Sequence, residues 1–317
     1  VLSSRTSGTF VRRAVLALAA GLFLATPASV NSALPTAVPR IDVGDVTPHL
    51  ERLQSIADRS DGNRAAGTVG YRRSVDYVAQ TLSAAGFDVE RQECGTCTGE
   101  GDENVIADWP GGDPKSTVMF GTHLDSVGDG PGADDNGSGT AALLQVALTL
   151  AHSDPDMAKH ARFAWWASEE QEDAGSTFYV ENTWTDTIDA YINLDMVASP
   201  NPGYFLTYLG GPAGRAMAAH LSAVGKKPEE MEAGCECSDD AAFDDDGVAT
   251  TYLTTASNDE ERMTAKQAAK WGGEAGEPFD ACYHRACDAY PGNIDKDALG
   301  YTANTTANAL WTLAVLA

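Results

Sequence analysis

Positive charge is what this sequence has least of. Its 21 Lys and Arg face 46 Asp and Glu, leaving a formal net charge of −25. Nucleic acids and anionic membranes are held by basic patches, so this balance excludes both as partners. Membrane-length apolar runs are missing too. The run Ala14 to Ala25 is too short to cross a bilayer. It follows Arg12-Arg13 and precedes Pro27, Ala28 and small polar residues, the order of a secretory signal peptide. Residues 1–37 are therefore read as signal peptide and short leader, with Ala28 and Ala33 both compatible with cleavage. Residues 38–317 are read as one domain of a secreted, extracellular protein, expected to be a monomer.

Two common catalytic signatures are absent. There is no His-Glu-x-x-His pair, which argues against a single-zinc helix site. There is no Gly-x-Ser-x-Gly elbow, which argues against an α/β-hydrolase nucleophile. Cysteine is sparse but paired in sequence: Cys94/Cys97, Cys235/Cys237 and Cys282/Cys287. In an exported protein such pairs read as disulfides, and Cys282–Cys287 is expected as one. The other four cysteines allow three connectivities, with a four-thiolate zinc site as the competing reading.

What is present is an alternation of helical and extended patterns. The spacing predicts helices from Thr47-Pro48 through Ile56, through Val75, Val78 and Leu82 to a stop at Gly86, and from Asn136 through Leu148. Further helices are expected at Ser176–Asn182, Gly214–Val224 and Asn304–Leu316. Strands are predicted at Phe87–Gln92, Asn104–Trp109, Thr117–Gly121 (after a turn at Gly111 to Pro114), Arg162–Ala167, Ala190–Leu194 and Ala249–Leu253. The fold class is α/β: a single domain with a central, mostly parallel, twisted mixed sheet covered by helices on both faces.

The chemistry sits where apolar segments end. Val118-Met119-Phe120 runs into His123 and Asp125, with Asp135 just beyond. Trp165-Trp166 runs into Glu169-Glu170, and Ile192-Asn193-Leu194 into Asp195. His284 stands inside the Cys282/Cys287 bracket. Ligands at the carboxyl ends of parallel strands converge on one site. Two zinc ions need a bridging carboxylate and terminal N or O donors, which Asp135, His123, Glu170, Asp195 and His284 would supply. Glu169 is then free to move protons.

These residues, with Gly62-Asn63-Arg64, Gly70-Tyr71, Trp109 to Pro114, Asp135 to Gly139, Phe163 to Trp166, Ser199 to Tyr204, Lys270 to Gly273 and Cys282-Tyr283-His284, resemble the secreted bacterial double-zinc aminopeptidases of peptidase family 28. The likeness is to the small, calcium-modulated, leucine-preferring branch and runs from about Val38 to the C-terminus. It implies that Asp135 bridges the zincs, that His123 and Asp195 complete one shell, and that Glu170 and His284 complete the other. It implies Glu169 as general base and acid, Tyr283 as hydrogen-bond donor to the oxyanion, Asp125 as the carboxylate orienting His123, and a cis peptide after Asp135. The substrates implied are peptide or protein N-termini.

The chain also departs from that branch. Where the branch has an arginine before Ser-Asp-His, this chain has Cys237-Ser238-Asp239-Asp240. The branch's calcium positions fall near Arg40, Gly300 and Asn304, so that site reads as lost. The specificity loop Thr254 to Met263 carries Asp259, Glu260 and Glu261, which favour Arg or Lys substrates if one faces the pocket and leave leucine preferred if all are solvated. The alternatives weighed are a glutaminyl-cyclase-like or carboxypeptidase activity on the same fold, and a non-catalytic binding homologue.

Overall fold

The computed structural model describes residues 38–99, 101–231, 238–256 and 261–317. The expected leader, Cys235, Cys237, Asp259 and Glu260 lie outside them. The chain runs α1 (Val43–Asp58), α2 (Val69–Ala85), β1 (Asp88–Glu93), β2 (Glu103–Asp108), β3 (Asp113–His123), α3 (Gly137–Ser153), β4 (Lys159–Trp166), α4 (Ala174–Asn182) and β5 (Ile188–Leu194). It continues through β6 (Phe205–Leu206), α5 (Pro212–Ala223), β7 (Glu229–Glu230), α6 (Asp240–Asp245), β8 (Thr250–Thr254), α7 (Ala265–Trp271), α8 (Lys296–Leu310) and a closing π turn (Trp311–Val315). No helix among the described residues is long and apolar enough to cross a membrane.

The eight strands form one sheet in the order β1-β2-β4-β3-β5-β8-β6-β7. The middle four, β4, β3, β5 and β8, are mutually parallel; β1 and β2 meet their neighbours antiparallel, and β6 runs antiparallel to β8 and parallel to β7. The α/β expectation with a mostly parallel, mixed sheet therefore holds. Because β3 is followed by β4 on one side and β5 on the other, the chain reverses its direction of winding beside β3. Ligand sites of open α/β sheets form at such a point, outside the carboxyl ends of the strands.

Both faces of the sheet are buried, which is why its central strands read as continuous apolar runs. One face carries Phe120, Phe163 and Trp165 against α1, α2, α3 and α8. The other carries Met119, Trp166 and Tyr191 against Tyr179 of α4 and Phe243 of α6. Successive residues of β4 thus face opposite layers: Trp165 one, Trp166 the other. Helix α3 is enclosed; its Ala141, Leu143, Leu144, Val146 and Ala147 are all fully buried.

Several boundaries differ from the sequence reading. Helix α1 begins at Val43 and carries Pro48 inside it. Val46 and Leu50 bury on either side of the proline, and this packing outweighs the lost backbone hydrogen bond. Strand β3 starts at Asp113 and shifts register before Thr117, so the turn residues are part of its edge. Helix α8 begins at Lys296, capped by Asp295, which accepts from Ala298 N at 2.8 Å. Its buried Thr302, Thr305 and Thr306 each return their hydroxyl to the carbonyl four residues back, which hides a polar sequence inside a core helix. Strands β6 and β7 and helices α6 and α7 were not anticipated. Gly86 does stop α2, in the left-handed conformation with φ of 98°.

Gly121 of β3 is set by close approach: a Cβ there would lie 2.1 Å from Tyr191 Oη and 2.6 Å from Trp166 Nε1. Gly121→Ala is expected to destabilise the fold by about 1–3 kcal/mol through overpacking, measured by urea unfolding. An unchanged midpoint would show that this layer is looser than described.

Candidate metal centre

The expected residues meet at the carboxyl edge of the sheet. His123 closes β3, Asp135 lies in the loop that leads into α3, Glu169 and Glu170 follow β4, and Asp195 follows β5. His284 comes from the turn between α7 and α8, tied by the Cys282–Cys287 disulfide. The residues form two trios, His123 with Glu169 and Asp195, and Asp135 with Glu170 and His284.

Asp135 joins the trios. Its Oδ1 lies 3.2 Å from His123 Nε2, and its Oδ2 lies 3.2 Å from His284 Nε2. His123 Nε2 is also 3.3 Å from Asp195 Oδ1, and His284 Nε2 is 3.0 Å from Glu170 Oε2. Donors about 2.0–2.1 Å from a tetrahedral zinc stand roughly 3.3 Å apart. The four separations fit the edges of two such tetrahedra sharing one carboxylate. Glu169 Oε2 stands further off, 3.7 Å from His123 Nε2. On this geometry the residues present fit a pair of zinc ions, with Glu169 beside them.

The electrostatics point the same way. Burial pushes the Glu170 carboxyl up to about 7, and the charge on Asp135 adds to the shift. Burial raises Glu169 as well, against the attraction of His123 and with repulsion from Asp195. Hydrogen bonds to Asp135 and Glu170 push His284 up to about 10. Burial opposes ionisation of Asp135 too, yet both imidazoles hold it below the usual carboxylate range. Two imidazoles, the buried His123 and the partly exposed His284, face four largely buried carboxylates, a surplus of negative charge that divalent cations relieve.

Several of these residues have supports behind them. Asp125 Oδ1 lies 3.5 Å from His123 Nδ1 and accepts from Glu169 N at 3.2 Å. A directed chain of hydrogen bonds ends on Asp195. Trp166 Nε1 donates to Tyr191 Oη (2.7 Å), which donates to Asn193 Oδ1 (3.0 Å). Asn193 Nδ2 then donates to Ser238 Oγ (2.9 Å), which donates to Asp195 Oδ2 (2.9 Å). Tyr283 stacks on His284, with ring centroids 3.8 Å apart. The peptide between Asp135 and Asn136 is cis. Ser168 before Glu169, Met196 after Asp195, and His284 itself take positive φ, the kind of outlier that clusters at functional sites.

Two supports had no assigned role in the sequence reading. Asp288 Oδ1 and Oδ2 accept from Asp134 N (2.8 Å) and Asp135 N (3.0 Å). They thereby fasten the His284 turn to the loop bearing the central carboxylate. Its place directly after Cys287 was the available signal. Arg64, fully buried, donates to the carbonyls of Leu124, Pro131 (3.0 Å) and Gly132 (2.8 Å), bracing the segment between His123 and Asp135. Of the remaining described histidines, His49 meets Tyr77 and Gln145, His160 meets Asp108, His220 meets Thr305, and His152 is exposed on the last turn of α3. Cys94 pairs with Cys97, which removes a four-thiolate zinc site from consideration.

Residues 104–310 match peptidase family M28. The chain is 42% identical over 304 residues to leupeptin-inactivating enzyme 1 of Streptomyces exfoliatus, covering 93% of this chain and 68% of that protein. The chain belongs to peptidase family M28. It is also 42% identical over 211 residues to an aminopeptidase of Pseudomonas aeruginosa, covering 62% of this chain but 38% of that relative. Its fold is that of a zinc aminopeptidase from Bacillus subtilis, with a TM-score of 0.70 at 14% identity, covering 88% of this chain and 96% of that one. A glutaminyl cyclase of Tannerella forsythia shares the fold at a TM-score of 0.64 and 18% identity, covering 86% and 99%. The comparisons thus place the chain in a peptidase family, on a fold it shares with a zinc aminopeptidase.

Asp288→Ala removes the acceptor of two buried backbone N–H groups and of Asn293 Nδ2 (2.9 Å). A stability loss on the order of 3 kcal/mol is expected, read by urea denaturation of the metal-free protein. A loss below about 1 kcal/mol would mean that the M28 ligand loops hold together without this clamp.

Proposed function

We propose that this M28 domain, residues 38–317, is a secreted, monomeric, two-zinc aminopeptidase that removes N-terminal residues from peptides. The observation that carries the reading is Asp135, with one oxygen toward His123 and the other toward His284. His123, Asp195 and Asp135 would hold one zinc, and Glu170, His284 and Asp135 the other. Zinc bound there supplies Lewis acidity to the scissile carbonyl and lowers the pKa of a bound water toward about 7.

The chain's own groups do the rest. Glu169, raised by burial and free of ligand duty, takes the proton of the attacking water and passes it to the leaving amine. Tyr283 stays protonated, its phenol raised by burial and by the neighbouring carboxylates, and donates to the developing oxyanion. The excess carboxylate charge of the site receives the substrate's α-ammonium, which restricts cleavage to chain ends. The glutaminyl-cyclase reading needs one metal; the two complete trios favour two.

Glu169→Ala is expected to bind two zincs and to lose turnover by at least about a hundredfold, whereas Asp135→Ala loses metal as well. Atomic absorption alongside hydrolysis of leucyl p-nitroanilide distinguishes them. Near-normal kcat in Glu169→Ala would overturn the proton-transfer role.

Calcium is proposed to have no part. At one matching position Asn304 closes a carboxamide pair with Ile41, Oδ1 accepting from Ile41 N (3.0 Å) and Nδ2 donating to Ile41 O (2.8 Å). Arg40 brings positive charge beside it, 3.5 Å from Asp42. Millimolar calcium is expected to leave Tm unchanged. A rise of many degrees would reveal a site elsewhere.

A further inference from the structure

We infer that Asn104 of β2 is a positioning residue that sets the loop carrying Glu169 and Glu170. The loop, residues 168–173, leaves β4 and returns into α4. Its two ends meet at one buried carboxamide. Asn104 Oδ1 accepts from Ala167 N at 2.9 Å, just before the loop, and Nδ2 donates to Gly175 O at 2.9 Å, just after it. Nδ2 also donates to Gln92 Oε1 at 2.9 Å on the neighbouring strand β1, so the amide cannot turn over without losing all three bonds. Asn104 is fully buried, where an unmade bond has no water to replace it.

Two independent features serve the same junction. A Cβ on Gly175 would fall 2.2 Å from Ala167 O and 2.6 Å from Asn104 Oδ1, so the loop ends approach as closely as only glycine permits. The Cys94–Cys97 disulfide, on the turn that joins β1 to β2, rests against the same backbone: Cys97 Sγ is 3.8 Å from Ala167 O and Cys94 Sγ is 3.8 Å from Ala174 O. The hairpin β1–β2 therefore grips the base of the loop from outside the metal centre. Ser168, Glu172 and Asp173 within the loop all take positive φ, a shape that needs fixed ends. Asn104 touches neither metal donors nor reacting atoms; it acts through the placement of two adjacent glutamates.

The inference rests on the roles proposed for Glu169 and Glu170, and its test separates the two. Asn104→Asp keeps the acceptor for Ala167 N and loses the donor to Gly175 O; Asn104→Leu loses both; Gly175→Ala forces the ends apart. Val78→Ala, in the α2 core away from the loop, is the control for stability alone. All are compared with the parent zinc enzyme for Tm, zinc affinity by chelator competition, kcat and KM. The loop variants should lower kcat by about tenfold or more with KM within about twofold, and weaken one of the two zincs by about 10- to 100-fold. Asn104→Asp should be the milder of the Asn104 variants. Val78→Ala should lose comparable Tm and neither kcat nor zinc affinity. If Asn104→Asp and Gly175→Ala keep parental kcat and zinc affinity, or Val78→Ala loses them in step with Tm, the positioning role is overturned. Should Glu169→Ala remain active, the assigned chemistry fails instead, while the zinc-affinity readout of the loop variants still decides whether Asn104 sets Glu170.

Discussion

Everything in this molecule is arranged around the crowding of carboxylates at one edge of its sheet. Asp135, Glu169, Glu170 and Asp195 occupy a pocket with two imidazoles, and each acid is largely removed from water. Without compensation such a group of charges drives its own members toward protonation, as the raised Glu169 and Glu170 show. Among the described residues, no lysine or arginine side chain pairs with it at the centre. Arg64 is buried nearby but is spent on three backbone carbonyls, so its charge acts at a distance. Helix α3 adds the positive end of its dipole just beyond Asp135. These are partial answers to a demand that divalent cations meet fully.

The polar groups beneath the site explain how so strained an arrangement persists. The core around it is aromatic and close-packed, with Trp166, Tyr191 and Phe243 in mutual contact. Threaded through that layer is the hydrogen-bond chain from Trp166 to Asp195, in which every donor points toward the site. Its members are buried, so each bond is costly to break and the direction is fixed. The loop of Glu169 and Glu170 has Asn104, the loop of Asp135 has Asp288 and Asn136, and the end of β5 has Ser238. Asn136 alone joins three elements, donating to Thr122 Oγ1 and Leu194 O while capping α3 through Gly139 N. Placement of the two trios is thus set by side chains outside them.

This division explains what the sequence made legible. The five candidate metal donors were readable because they follow the ends of apolar strands or sit in a cysteine bracket, and because their order resembles a known family. The sheet was readable because parallel strands buried on both faces leave uninterrupted apolar runs. Strands β6 and β7 were not, since two residues carry no period. Helix α1 was started too late because Pro48 is a strong local signal for a first turn, and only tertiary packing of Val46 overrides it. Asp288 and Asn104 were not recognised as supports because a hydrogen bond to the backbone leaves no spacing behind it. The Cys94–Cys97 pairing was open for the same reason: connectivity depends on three-dimensional proximity.

Dependence on ions is therefore unevenly distributed through the fold. At the centre, charge is concentrated, buried and left for cations to balance, so cation binding and native structure stabilise one another. At the seam between the start of the domain and helix α8 the opposite choice is made. There the Asn304 carboxamide satisfies both backbone groups of Ile41, 263 residues away in sequence, with a neutral pair that needs neither ion nor titrating group. An amide pair contributes less than a multivalent ion can, but it is insensitive to salt, chelators and pH. The centre concentrates titratable groups and the amide pair at the seam has none, and the residues at each place match that difference.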